Sequence, residues 1–238
     1  MFRKLISLTI FALLASSSLP SFADEASRVT WKPVSSGSCE NCNLFGRQMP
    51  FWNLTGAHYD GANICHASLH GVIANDAYFV GVKAQNVDLT DAQANMAKFA
   101  RALLKNARLG GLVANGADFT GADMSNADAG EAILVGANLT DAVATGMTAF
   151  GADFSAITAR GVVFDKATLR GAVFDGALLT GASFSGADLA GASFRDARLS
   201  EANFLGALNY LEADFAGACR SENSQIPVDL KLAPCETP

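Results

Sequence analysis

The sequence predicts an all-β stack of short repeats, and three observations predict it. A five-residue register runs from Cys42 to Gly206 without insertion or deletion, about 33 pentads in all. A period of five is neither the 3.6 of a helix nor the 2.0 of a strand. Motifs also echo at twenty residues: Ala-Asn-x-Ala occurs at 74–77, 94–97 and 114–117, so four pentads make one coil. Third, side-chain volume is traded between two positions of the pentad, as a filled interior requires.

The central position reads Leu44, Met49, Leu54, Tyr59, Ile64 and Leu69, and later Phe164, Leu169, Phe174, Leu179, Phe184, Leu189, Phe194, Leu199 and Phe204. Two places earlier the residue is mostly alanine. The central residue is itself alanine at 74, 84, 94, 114, 129, 144, 149 and 159, and in five of these the earlier one is enlarged, to Val72, Val82, Leu112, Met147 and Ile157. Both positions therefore point inward. Glycine often ends the pentad, where a corner favours a residue without a Cβ. Asparagines stacked at twenty-residue spacing can pass amide hydrogen bonds from rung to rung.

Units such as Ala-Asp-Phe-Thr-Gly (117–121) and Ala-Asn-Leu-Thr-Asp (137–141) resemble the pentapeptide-repeat family, over about 165 of 238 residues. The resemblance implies a right-handed quadrilateral β-helix, with four pentads per coil and one pentad per side. About eight coils spaced by 4.8 Å would make a rod roughly 40 Å long. Each coil is stabilised only by its neighbours. The open end rungs invite edge pairing, and an end-to-end dimer is the oligomer they would allow.

Around the repeat, residues 1–23 read as a secretory signal: Arg3 and Lys4, an apolar run from Leu5 to Ala15, then Ser21-Phe22-Ala23. The run is too short for a membrane anchor. The predicted organisation is signal peptide 1–23, lead-in 24–36, repeat 37–218 and a capping tail 219–238. The expected location is exported, periplasmic or secreted. Loss of Arg3 and Lys4 takes the formal charge from −6 to roughly −8. Such an acidic chain lacks the basic stripe that direct nucleic-acid binding needs.

The register places Cys39 and Cys42 inward at the first corner, and in an exported protein a disulfide between them is the economical reading. A Cys219–Cys235 bridge would fold the tail over the last rung. Cys65 is left over at an outward position. His58, His66 and His70 lie close in sequence around Cys65, but the register spreads them over three sides, so no metal site and no cofactor are expected. Asp88, Arg108 and Asp128 stack at twenty-residue spacing as a surface charge ladder. No nucleophile-base arrangement or phosphate loop is present, so no catalytic residue is predicted and the protein is not expected to be an enzyme.

One side carries Ile73, Val113, Ile133 and Val173 as an interrupted apolar stripe, the candidate site for an unknown protein partner. The competing reading is that β-branched residues simply suit a sheet face. The functional expectation is a non-enzymatic exported scaffold or protein-interaction module. The alternative is implied by the resemblance: some pentapeptide-repeat proteins mimic DNA and bind a nucleic-acid-binding protein such as a topoisomerase.

Overall fold

In a computed structural model the chain divides into two units, Met1–Lys32 and Pro33–Pro238. The structure describes residues 38–235, all in the second unit. The predicted signal peptide and the lead-in lie outside the described residues.

The expected fold class, an all-β right-handed quadrilateral β-helix, is corrected by the observed secondary structure. Among the described residues, strands exist only as β1 (Arg198–Leu199), β2 (Cys219–Arg220) and β3 (Ala233–Pro234). They form one parallel sheet in the order β1-β2-β3. The helical content is one 3-10 turn, Tyr210–Glu212. Elsewhere the pairing consists of isolated single-residue parallel bridges, each joining a residue to the one twenty positions on, from Asn43↔Asn63 to Asp188↔Leu208.

Strands fail to extend for a local reason. Every fifth residue from Asn41 to Gly206 has a positive φ, between 54° and 75°. A left-handed residue turns the chain, so only one residue in each pentad keeps extended pairing before the next corner. Glycine or asparagine takes this conformation with least strain. At Ala156 (φ 55°) a Cβ is carried into it.

The backbone hydrogen bonds repeat with the same period. In the pentad 62–66, Asn63 donates its N–H to Cys42, Ile64 to Lys83, and His66 to Gln85, while Ala62 closes a turn onto Tyr59. The N–H of the residue just before the corner has no carbonyl to meet, and a side chain fills the gap. At some rungs Asp or Asn two places earlier accepts it, as Asp118 does for Thr120 (3.0 Å) and Asn138 for Thr140 (3.1 Å). At others the acceptor comes from the rung before: Asn75 accepts from Asn95, Asn95 from Asn115 and Asn115 from Val135.

The interior is closed by the two inward positions. Every central residue from Leu44 to Phe204 is buried, as are Val72, Val82, Leu112, Met147 and Ile157. Aromatic rings stack along it: Tyr59, Phe79, Phe99 and Phe119 at 5.4, 4.9 and 5.0 Å. Further along, Phe154, Phe174, Phe194 and Phe215 form a second column, and Phe164, Phe184 and Phe204 a third that meets it edge-on. Such ring pairs contribute about 0.5–1.5 kcal/mol each beyond the burial of area.

At the far end the register slips. Asn209 takes a left-handed φ two residues early, and pairing resumes one residue late with Ser193↔Asp214. The tail then returns as β2 and β3 over β1, with Cys219 bonded to Cys235.

Three outcomes follow from this packing. Phe99→Ala leaves a gap in the first ring column and should lower stability by about 3–5 kcal/mol in urea unfolding. Ala156→Gly relieves the corner and should raise it by about 1 kcal/mol. Burial pushes the Tyr59 phenol up to about 12. The unfolded chain ionises that group near 10, so this contribution to stability is intact below about pH 10 and is lost as pH rises toward 12. The urea midpoint of Tyr59→Phe should therefore fall less than that of the wild type between pH 10 and 12.

Candidate interaction surface

The residue that makes each bridge faces outward, so the bridges sort the surface into four ladders. One of them runs Asn53, Ile73, Gln93, Val113, Ile133, Asp153, Val173, Ser193 and Asp214. The structure thus brings the four stripe residues onto one ladder, with polar rungs between them. Ile73 and Ile133 are 37% and 39% exposed, whereas Val113 and Val173 are half-buried.

Two features of this face escape the pentad pattern. Val135, 37% exposed, lies beside Ile133 and widens the apolar row. Asn75, Asn95 and Asn115 run alongside the stripe, and Asn95 also donates its amide to Asn75 at 3.1 Å. This row ties successive rungs together beside the stripe. Apolar residues are not confined to one face, however. Leu103 and Val143, 37% and 36% exposed, stand on the ladder that begins at Asn43.

Among the described residues four carboxylates pair with Lys or Arg. Arg108 meets Asp88 at 3.3 Å, Lys105 meets Asp123 at 3.1 Å, and Arg195 meets Asp214 at 2.6 Å, closing the top of the stripe ladder. Exposed pairs of this kind are worth about 0–1 kcal/mol. Asp188 is held below the ordinary carboxylate range, first by the Asn209 amide at 2.8 Å, against a smaller opposing effect of burial, and then by the Ala190 N–H and Arg170. It thereby pins the slipped register.

The histidines do not converge. His66 packs against Phe45 and lies 3.5 Å from the Asn86 amide, and His70 meets the edge of Phe51. His58 stacks on Tyr78 and faces Asp60. Cys39 is bonded to Cys42, and Cys65, the free cysteine among the described residues, donates its thiol to Gln85. No helix among the described residues is long and apolar enough to cross a membrane.

A family model described as pentapeptide repeats matches eight copies, over residues 97–134, 122–146, 150–186 and 177–207. Over those residues the chain is similar to the pentapeptide-repeat family. That similarity supports a non-catalytic, protein-interacting role in general terms. No curated protein matches the chain.

Among solved structures, the chain is similar to HetL, a protein involved in heterocyst differentiation regulation from the cyanobacterium Nostoc sp. strain PCC 7120. The identity is 23%, the match covers 80% of this chain and 94% of HetL, and the TM-score is 0.33. It is similar to QnrB1, a plasmid-mediated fluoroquinolone resistance protein, at 20% identity over 78% of this chain and 94% of QnrB1, with a TM-score of 0.43. A pentapeptide repeat protein of the Arabidopsis thaliana thylakoid lumen matches at 17% identity over 50% of this chain and 66% of its own, with a TM-score of 0.25.

Because the stripe side chains point away from the packed interior, Ile73→Lys with Val113→Lys should leave the fold intact. The expected outcome is an unchanged circular dichroism spectrum and a change in stability within about 0.5 kcal/mol per site.

Proposed function

We propose that this protein is an exported, non-catalytic module that binds another protein through the face carrying Ile73, Val113, Ile133, Val135 and Val173. One observation carries the reading: an apolar row on a single ladder, backed by a filled interior and an asparagine ladder, which presents side chains without a reorganisation penalty on binding. The disulfides Cys39–Cys42 and Cys219–Cys235 suit an oxidising compartment, periplasmic or extracellular. The reading assigns residues 1–23 to the export signal and 219–235 to a cap.

A second reading, favoured by the excess of acid over base, is mimicry of DNA for a nucleic-acid-binding protein. The whole chain carries 23 acidic and 17 basic residues. Similarity to the family supports this reading at least as well as the first, and the partner would then meet the carboxylate ladders rather than the stripe.

Site-specific photocrosslinking from position 113, with position 168 on another ladder as control, separates the two. A protein captured from 113 alone, and lost with Ile73→Lys and Ile133→Lys, supports the stripe. Capture from both positions of a protein that duplex DNA competes away supports mimicry. Empty captures from both remove the stripe from consideration.

A further inference from the structure

We propose that Glu40, His58 and Asp60 form a binding site for one divalent transition-metal ion on the first turns of the stack. A ligand atom from each of the three lies within 4.8 Å of the other two. His58 Nδ1 is 3.7 Å from Asp60 Oδ2. Around a tetrahedral ion with bonds of about 2.0–2.2 Å, neighbouring ligand atoms stand roughly 3.3 Å apart. The His58–Asp60 edge is thus open by about 0.4 Å and no edge by more than about 1.5 Å, a gap within reach of a rotation of the exposed Glu40 side chain.

The arrangement is more than a chance gathering of surface acids, because two of its members are held by contacts of their own. Asp60 Oδ1 accepts the Val80 N–H at 2.7 Å, which leaves Oδ2 turned toward His58. The His58 ring stacks on Tyr78 at 4.2 Å, with 8° between the planes. These are the supports that orient metal ligands from outside the coordination sphere. Glu40 is brought in by the ladder. Cys39 donates to the His58 carbonyl at 2.6 Å and Asn41 to that of Asp60 at 2.9 Å, so residue 40 is bracketed, and the Cys39–Cys42 bridge closes the chain around it.

Charge points the same way. Among the described residues four carboxylates, Asp88, Asp123, Asp188 and Asp214, are met by Lys or Arg, and others are not. Glu40 and Asp60 stand one turn apart with no Lys or Arg paired to either among the described residues, and only an imidazole between them. A dication neutralises both. One imidazole nitrogen and two carboxylate oxygens suit zinc and its first-row neighbours, whereas magnesium and calcium favour oxygen alone. Three protein ligands leave further positions for water. A bound ion would also tie residue 40 to the turn above it and stabilise the end of the stack by mass action.

The test is calorimetric titration of Zn²⁺ into the full, untagged chain. The expected result is one saturable site, with affinity at least tenfold weaker in Asp60→Asn, His58→Gln and Glu40→Gln and unchanged in the double variant His66→Gln with His70→Gln. Mg²⁺ in place of Zn²⁺ should give no saturable heat. Asp60→Asn keeps an acceptor for the Val80 N–H, and Glu40→Gln alters an exposed side chain, so folding is preserved in at least these two. No saturable binding by the wild type would overturn the proposal. So would wild-type affinity in Glu40→Gln and Asp60→Asn, or a loss confined to the His66/His70 variant.

Discussion

A backbone that must enter the left-handed region once in every five residues is the constraint on which the rest of this structure depends. From Asn41 to Gly206 it never misses a beat. Each such residue ends an extended segment after one bridging position, and so limits the described strands to three pairs of residues. The same turn sends two side chains of each pentad inward, which is why alanine alternates with phenylalanine or leucine there. It also strands one N–H per pentad. The Asp and Asn residues that precede so many central positions are therefore backbone partners before they are surface charges, and their net effect on the potential of each face is secondary to that task.

Much of this was legible in the sequence because the period is strict and volume is conserved. Val72 and Leu112 reveal the inward position by growing when Ala74 and Ala114 shrink, and both pairs are buried. The twenty-residue echo of Ala-Asn-x-Ala is visible as the Asn75, Asn95 and Asn115 ladder. Strand content was misjudged. Hydrophobic pattern reports which residues face inward, but whether they extend into strands depends on φ at the corners, and Phe51, Met96 and Lys166 do not advertise a left-handed conformation.

The candidate sites were less readable for a different reason. Residues that meet across a ladder are twenty apart, and no local motif records their meeting. His58 drew notice for its sequence neighbours His66 and His70, yet its partners are Asp60, Tyr78 and Glu40. Val135 sits outside the bridging position and so fell outside the stripe as first read. Searching the sequence at offsets of 18 to 20 rather than 3 to 5 would have found Glu40 beside His58 and Asp60.

The single-residue bridges have one more consequence, for how such a chain can change length. Before the register slips, each bridge joins a residue only to those twenty before and after it. An insertion of five residues just before Ile133 would keep every corner but carry all later rungs to the adjacent side, setting Ile133 above Asp118 rather than Val113, and cutting the asparagine row. An insertion of twenty leaves every column intact. Changes of length within the stack therefore preserve its surface ladders only in whole turns of twenty residues.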